Sequence, residues 1–469
     1  SGLSDESVGD SVGLRWERTL SGMFGLPVFI GQDRLVTSRF QSINYTPVVC
    51  HDLATGDTLW TRDFGGTNSR SIPLGINDGR VYAMNFQELT YQKDTLYALD
   101  ADDGSILWTA GIRVQMSISE SVTFASDGDP LVTADSFRIA RINREDGTVQ
   151  WTARRVWPVT GSCDIVAYGD RCYCYGGDIG SLYLAAFDEA TGTLIDTCRI
   201  EDTHPGGPMP QAAPMVGPGG TIYCHKVGDN VTAVRDDGDS LVKLWTAEIS
   251  GTTPYYSPFA HFAVGPDSTV YAASWGRIIR LDPATGAKLD SSPVIQDTTQ
   301  VIFHVRISVG ANGVVLVSSG GYPPLGGLYA FTPDLEPLWY EPIQRLNTCG
   351  PAIGPGGVVA VAGDGRVLKV FDPFTGLAAN PAPRPEPALL ARPNPFRTAV
   401  SLQLTAGGPD RADIFDASGR LVRRLAVGRQ PSAVGSLTWD GRDDAGKELG
   451  PGVYVCRCGT SSVRLVKAE

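Results

Sequence analysis

The chain has 469 residues and a formal net charge of −12, and its sequence has no run of about 20 apolar residues, so no transmembrane helix is predicted. The negative charge argues against nucleic acid and anionic membrane surfaces as general partners. Glycine and proline are abundant (55 Gly and 32 Pro) while 42% of the residues are apolar, which predicts many tight turns in a folded chain rather than disorder.

The N-terminal residues divide into a polar lead and a short strand. Residues 1–13 are rich in Gly and Ser and predict a flexible segment. The sequence begins at Ser1, and both cleavage of a signal peptide and trimming of the expressed chain stay open as explanations. Residues 14–20 have the pattern of a strand containing Trp16, with no partner strand before it.

A strand–turn–strand pattern at residues 47–64, PVVCHDLATGDTLWTRDF, returns along most of the chain. In the turn, ATGD, Gly56 supplies the positive φ that a tight hairpin needs, and Trp60 lies in the return strand. The position of Trp60 recurs every 43–49 residues, at Trp108, Trp151, Asp196, Trp245, Asp290 and Trp339. A repeat of this length with short strands is typical of the blades of a β-propeller.

Each hairpin is preceded by a second turn and a strand of small residues, so that one blade contains four strands. This second element is clearest at four tyrosines and weaker at four valines: Tyr82, Tyr173, Tyr223, Tyr271, Val36, Val132, Val315 and Val359. The last unit lacks its fourth strand, because the proline-rich residues after Gly376 cannot form one. We therefore predict an eight-bladed β-propeller over residues 14–380, closed by the N-terminal strand with Trp16.

The repeat (L/V)YALDxxTGxxLW resembles that of pyrroloquinoline-quinone-like propellers, over residues 14–376. That family includes quinoprotein alcohol dehydrogenases and the propeller lipoprotein of the outer-membrane assembly machine. The resemblance implies that the repeat tryptophans dock each blade on its neighbour: Trp16, Trp60, Trp108, Trp151, Trp245 and Trp339. Asp196 and Asp290 depart from the pattern and predict blades that dock differently.

The cysteines do not predict a cofactor site. None of the nine lies in a CxxC or CxxCH motif, which argues against a c-type haem and a zinc ribbon. A disulfide within the pair Cys172 and Cys174, or within Cys456 and Cys458, is not expected at this spacing in a strand. Cys174 and Cys224 hold matching positions in adjacent blades, where an interblade disulfide and buried free thiols both stay open. The quinone dehydrogenases that the repeat resembles would have two adjacent cysteines, which are absent from this sequence.

Other candidate ligands also lack a binding pattern. The five histidines have no metal spacing: His51, His204, His225, His261 and His304. Carboxylates cluster at residues 127–129 and 236–239, but neither cluster fits the twelve-residue calcium loop, and both suit hairpin turns. We therefore predict no catalytic, cofactor-binding or metal-binding residues.

After a proline-rich linker at residues 381–388, residues 389–469 predict about seven short strands in a small immunoglobulin-like β-sandwich. Its motifs resemble the immunoglobulin-like domain of the flagellar hook-capping protein and the C-terminal sorting domains of the type IX secretion system. The motif residues are Asn394, Pro395, Phe396, Trp439, Asp440, Gly441, Gly446, Gly452 and Tyr454. The resemblance implies export across the outer membrane followed by cleavage or surface anchoring; a plain accessory sandwich stays open.

The leading prediction is a secreted or cell-surface, non-enzymatic propeller that serves binding, scaffolding or extracellular assembly. Its expected partners are proteins, copies of itself or the secretion machinery, without nucleic acid, membrane insertion or a cofactor. Two alternatives stay open. One is a subunit of a self-assembling extracellular filament. The other is a propeller enzyme, either a quinone-dependent dehydrogenase or a hydrolase or lyase of polysaccharides.

Overall fold

The computed structural model describes residues 3–19, 27–39, 46–65, 69–87, 94–114, 121–134, 138–155, 165–178, 181–201, 213–226, 230–249, 262–274, 276–295, 304–320, 327–343, 350–363, 367–374, 389–392, 396–404, 411–416, 420–426, 436–458 and 461–468. This part of the chain is all β, with strands and one 3₁₀ turn, Pro355–Gly357, but no α-helix. It contains no helix long and apolar enough to cross a membrane. The all-β prediction is confirmed.

The chain divides into two compact units, Ser1–Ala379 and Asn380–Glu469. The predicted propeller ends at residue 380, one residue after the end of the first unit. The predicted linker, residues 381–388, lies outside the described residues.

In the first unit, β1 (Ser11–Thr19) is followed by antiparallel groups of four strands that are consecutive in the chain. The strands of the first three groups are Phe29–Gly31 (β2), Arg34–Ser38 (β3), Val48–Asp52 (β4), Thr58–Arg62 (β5), Ser69–Asn77 (β6), Arg80–Gln87 (β7), Asp94–Asp100 (β8), Ile106–Val114 (β9), Thr123–Phe124 (β10), Pro130–Ala134 (β11), Arg138–Ile142 (β12) and Val149–Arg154 (β13). The next two groups are Val166–Tyr168 (β14), Arg171–Asp178 (β15), Ser181–Asp188 (β16), Leu194–Glu201 (β17), Met215–Val216 (β18), Ile222–Lys226 (β19), Asn230–Asp236 (β20) and Leu241–Glu248 (β21).

Two further groups have the same order. They are Phe262–Val264 (β22), Val270–Ser274 (β23), Arg277–Leu281 (β24), Lys288–Ser291 (β25), His304–Val309 (β26), Val315–Gly320 (β27), Gly327–Phe331 (β28) and Pro337–Pro342 (β29). A single residue pair, Val114 with Ala134, joins β6–β9 to β10–β13 in one larger sheet. We interpret this sheet as two blades, so the ring of eight remains a prediction that depends on this division.

The last sheet of the first unit combines both ends of the propeller sequence. Its three C-terminal strands are Ala352–Gly354 (β30), Val358–Gly363 (β31) and Val367–Phe374 (β32). β1 pairs antiparallel with β32, from Ser11 opposite Phe374 to Thr19 opposite Val367. This closing sheet confirms the predicted closure by an N-terminal strand, which covers the edge that β32 would otherwise expose.

The core lies between consecutive sheets. One apolar cluster joins Leu131, Cys174 and Cys224, which belong to three successive groups. Small side chains on the middle strands let the sheets approach closely, and these alanines are almost completely buried: Ala83, Ala98, Ala140, Ala186, Ala233, Ala272, Ala330 and Ala360. Stability therefore comes from apolar area buried between the blades, at about 25 cal/mol per Å².

The predicted flexible segment, residues 1–13, differs from the structure. Residues 11–13 belong to β1, and Leu3 forms a parallel bridge with Val309. Val8 is 2% exposed. The segment is polar in composition, but its backbone and its few apolar side chains find partners on the last two sheets, and this gain outweighs the entropy of a free end.

The second unit forms two sheets. The first has the order β33–β34–β37 and the second β36–β35–β38–β39. These strands are Leu389–Arg392 (β33), Val400–Leu404 (β34), Arg411–Asp416 (β35), Leu421–Ala426 (β36), Ser436–Trp439 (β37), Gly452–Cys458 (β38) and Ser461–Lys467 (β39). Apolar residues from both sheets share one core, which includes Leu402, Ile414 and Leu465. This arrangement confirms the immunoglobulin-like sandwich.

Candidate functional site

The repeat tryptophans connect neighbouring sheets through a hydrogen bond. The indole Nε1 of Trp60 donates to the carbonyl oxygen of Ala101 in the next group, at 2.9 Å. Four others do the same: Trp16 to Leu53, Trp108 to Arg144, Trp151 to Glu189 and Trp245 to Pro283, at 2.7–3.0 Å. A buried indole needs such a partner, and its large ring fills the space between blades.

Each of these five rings also covers a glycine of the next turn. A Cβ on Gly104, whose φ is +70°, would lie 2.6 Å from Cδ2 of Trp60. The same pairing joins Trp16 to Gly56, Trp108 to Gly147, Trp151 to Gly192 and Trp245 to Gly286. Glycine is thus favoured at these positions for two reasons: it adopts the positive φ easily, and it leaves room for the indole ring of the preceding blade.

Two blades dock without tryptophan and replace the glycine as well. Where Asp196 occupies the tryptophan position, the residue four before the next tryptophan is Leu241, and its amide donates to Oδ2 of Asp196 at 2.7 Å. Where Asp290 occupies it, the corresponding residue is Leu335, which is 2% exposed at φ +62°. In both cases a buried leucine stands in the position of the glycine that a tryptophan would cover.

The hairpin turns of the first unit form what we call the turn face. In a sheet of four consecutive antiparallel strands, the turn between strands one and two and the turn between strands three and four lie at the same end. Strongly exposed carboxylates line these turns, including Asp57, Asp102 and Asp170. The loops at the other end of the sheets are mostly outside the described residues.

Arginines on the turn face join neighbouring groups. Arg34 of β3 pairs with Asp102 of the next group at 2.9 Å, and Arg280 of β24 pairs with Asp334. Arg80 likewise pairs with Glu145. Exposed pairs of this kind contribute little stability, about 0–1 kcal/mol each. The carboxylates of these three pairs are 60–83% exposed and the arginines 17–20% exposed, so the pairs present mainly negative charge to solvent.

Many turn carboxylates accept hydrogen bonds from residues of their own turn. Oδ1 of Asp52 accepts hydrogen bonds from the amides of Thr55 and Ala54, and the first of these contacts is the main cause of its lowered pKa. The Thr191 side chain in the same way lowers the pKa of Asp188. These hydrogen bonds stabilise the ionised form of the turn carboxylates, so the lowered pKa values do not indicate a proton-transfer group.

The carboxylates at residues 127–129 already hold a cation, the guanidinium of Arg141. Its Nε donates to Oδ2 of Asp129 at 3.1 Å, its Nη2 pairs with Asp127, and its Nη1 donates to the carbonyl of Glu189 at 3.1 Å. The Glu189 carboxylate accepts from Ser126 Oγ at 2.6 Å. Arg141, Asp129 and Glu189 are buried and Asp127 is 56% exposed, and together they join β10–β13 to the next group.

The remaining candidates are mostly buried. Nδ1 of His51 lies 3.2 Å from the carbonyl oxygen of Gly56, and burial lowers the pKa of this imidazole. The ring of His225 stacks on Phe262. Six cysteines are buried, namely Cys50, Cys172, Cys174, Cys198, Cys224 and Cys456, and of these Cys50, Cys172, Cys198 and Cys224 are free thiols. His204, His261, Cys163 and Cys349, together with the side chains of His304 and Cys458, lie outside the described residues.

The motif residues of the second unit lie in its core and turns. The ring of Trp439 is fully buried and contacts those of Phe396 and Tyr454, with centroids 5.4 and 5.0 Å away. Asp440 accepts from the amide of Arg442 at 3.1 Å. Gly441 and Gly446 have positive φ, and Gly452 begins β38. Asn394 and Pro395 lie outside the described residues.

Among the residues that the structure describes, no group of three His, Cys, Asp or Glu side chains is placed to hold a metal ion. Sequence reasoning missed the arginine pairs and the Arg141 network. For the arginine pairs, the recurrence of Arg at the first residue of a strand, as at Arg34, Arg80 and Arg171, was the available signal, whereas Arg141 lies inside β12.

Two solved structures, BamB and the WD40 domain of Sif2, show the same fold over about three quarters of this chain. BamB from Moraxella catarrhalis aligns with 77% of this chain and all of its own, at 14% identity and a TM-score of 0.55. The C-terminal WD40 domain of Sif2 aligns with 78% of this chain and 99% of its own, at 9% identity and a TM-score of 0.53. PorZ, a surface component of the type-IX secretion system of Porphyromonas gingivalis, aligns with 95% of this chain and 70% of its own, at 14% identity and a TM-score of 0.42.

No curated protein matches the sequence. Two family models do. The FlgD Ig-like domain model matches residues 397–460, within the second unit. The model described as outer membrane protein assembly factor BamB matches residues 45–294, more than half of the chain. The chain therefore belongs to the family of the outer membrane protein assembly factor BamB.

Proposed function

We propose that this protein is a non-catalytic docking platform of the cell envelope, whose propeller binds other proteins during the assembly or secretion of outer-membrane or surface proteins. The observation that carries the proposal is the family match over residues 45–294, because that family is named for outer membrane protein assembly. The ring of eight blades belongs to the same proposal.

The turn face supports protein docking. Its backbone is fixed by turn carboxylates and by the Arg141 network, so a partner would meet a preformed surface. Asp102 and Asp170 are each 83% exposed although both are within reach of an arginine. With a net charge of −12, the chain would steer basic protein surfaces toward these turns.

We also propose that the second unit serves export or surface anchoring. Its support is the resemblance of its sequence motifs to type IX sorting domains and the FlgD Ig-like match. The motif residues described above hold the fold together, so a sorting signal would be read from the folded unit rather than from an extended peptide.

Site-specific photo-crosslinking in the native host tests the docking proposal. A photoreactive residue is introduced at Asp102 or Asp170 on the turn face, and at the exposed Thr61 on edge strand β5 as the matched control. We expect crosslinks to outer-membrane or surface proteins from the two turn positions, and few from Thr61.

Cell fractionation supplies the second readout. Recovery in the envelope or the medium is expected for the full chain. Recovery only from the cytosol would remove the proposed location, and crosslinks that are equally abundant at all three positions would remove the docking face.

A further inference from the structure

Residues 3–9, which we call the strap, lie just before β1 and contact residues that lie more than 300 positions further along the chain. The amide of Ser4 donates to the carbonyl of Val309 at 2.8 Å, and the amide of Ala311 donates to the carbonyl of Glu6 at 2.9 Å. The strap thus adds to the end of β26 as a short strand does, through main-chain groups that any extended peptide carries.

Side chains of the propeller hold the strap by its backbone. Asn312, in the turn between β26 and β27, uses both atoms of its amide on Val8: Nδ2 donates to the Val8 carbonyl at 2.8 Å, and Oδ1 accepts from the Val8 amide at 3.2 Å. Trp339 directs its Nε1 to the carbonyl of Gly9 at 3.4 Å. The five other repeat tryptophans donate to the turn of the following group, and Gly9, which lies just before β1, supplies the equivalent carbonyl of the closing sheet.

The receiving surface is shaped for an occupant. Gly357 has a φ of +80°, and a Cβ there would lie 2.1 Å from the Ser7 carbonyl oxygen. A Cβ on Gly310 would lie 3.0 Å from Cγ2 of Val8. A side chain at either position would push the strap away. The two glycines therefore make room for a backbone that lies against this surface.

Three strap residues supply sequence preference. The Glu6 carboxylate accepts a hydrogen bond from the amide of Gly356 at 3.1 Å. Val8 is 2% exposed. Gly9 lies against Pro373, where a Cβ would approach to 2.8 Å. The arrangement selects an acidic residue, then a small aliphatic one two positions later, then glycine.

We propose that this surface, made by the β26–β27 turn, Trp339 and Gly356–Gly357, is a peptide-recognition site for extended segments of the form Glu-x-Val-Gly. In the full chain its occupant is the strap of the same molecule, which acts as a removable plug. A covalently attached strap has a high effective concentration and therefore excludes a free peptide of the same sequence.

Binding of a synthetic peptide of residues 1–13, labelled at its C-terminal end, tests the proposal by fluorescence anisotropy. The full chain with Val8→Asp, which disfavours its own strap, is expected to bind the peptide, and the unmodified chain is not. Asn312→Ala added to Val8→Asp should weaken binding about tenfold through the loss of two hydrogen bonds. A peptide with Asp10→Asn, changed at an exposed residue beyond the strap, is the matched control and should bind unchanged.

The proposal fails if the Val8→Asp chain keeps its circular dichroism spectrum and does not bind the peptide, or if Asn312→Ala has no effect. Should Val8→Asp not fold, hydrogen exchange is compared between the unmodified chain and the single variant Asn312→Ala. Asn312→Ala must speed exchange of the Val8 and Ala311 amides without changing the exchange of the β1 amides. Unchanged exchange at both would also overturn it.

Discussion

The pairing of a repeat tryptophan with a glycine of the next turn predicts that Gly104→Ala destabilises the propeller more than its backbone conformation alone explains. The new Cβ would lie 2.6 Å from Cδ2 and Cε3 of Trp60. Gly79→Ala is the matched control, because Gly79 has a φ of +71° against +70° for Gly104, and a Cβ added to Gly79 would meet no atom within 4 Å.

Both substitutions place a non-glycine residue in the left-handed region, at a cost of about 1–2 kcal/mol. Gly104→Ala adds overpacking against the indole ring, which costs about 1–3 kcal/mol. We therefore expect the free energy of unfolding to fall by about 1–2 kcal/mol for Gly79→Ala and by about 2–5 kcal/mol for Gly104→Ala. Urea unfolding measures both, with the midpoint expected to move and the slope to stay unchanged.

A double-mutant cycle with Trp60→Leu separates the ring contact from other effects. In the Trp60→Leu chain, Gly104→Ala should cost no more than Gly79→Ala does, since the ring is gone. Equal losses for the two glycine variants in the unmodified chain would refute the docking argument. The argument would also be refuted if Gly104→Ala lowered the free energy of unfolding as much in the Trp60→Leu chain as in the unmodified chain.

Three further outcomes are expected. Arg141→Met should lower the free energy of unfolding by about 3–5 kcal/mol, because it leaves buried carboxylates without their cation; a loss below about 1 kcal/mol by urea unfolding would contradict the network. Burial lowers the pKa of His51 below 6.5, so the unfolded chain binds more protons and stability should fall as pH drops below about 6.5, a dependence that His51→Gln reduces. Trp439→Ala should cost the second unit about 3–5 kcal/mol in differential scanning calorimetry and leave the melting of the propeller in place.

The repeat made the propeller readable from sequence. A hairpin with a tryptophan every 43–49 residues fixes strand, turn and strand, and the missing strand of the last unit points to Trp16 as its completion. Even the irregular blades were visible as Asp196 and Asp290. The leucines that replace the turn glycine beside them, Leu241 and Leu335, were not predicted. Their role becomes clear only when the fold shows that each turn packs against the residue at the tryptophan position of the preceding blade.

Long-range polar contacts explain most of what sequence reasoning missed. The strap was expected to be flexible because its composition is polar, yet Asn312, 304 residues away from Val8, holds its backbone. The Arg141 network joins residues 12 and 48 positions apart, and no local pattern announces such pairing. The composition of a segment alone therefore does not predict whether it is ordered, because its order depends on contacts with residues that are distant in sequence.

Closure of the propeller by β1 is the central claim, and native-state hydrogen exchange followed by mass spectrometry tests it most directly. Among the amides of Ser11–Thr19, those that point toward β32 should exchange as slowly as the amides of β32, because they form the ladder between the two strands, whereas the other β1 amides lie on the outer edge of the sheet. Fast exchange throughout Ser11–Thr19 beside a protected β32 would show that the N-terminal strand does not complete the last sheet.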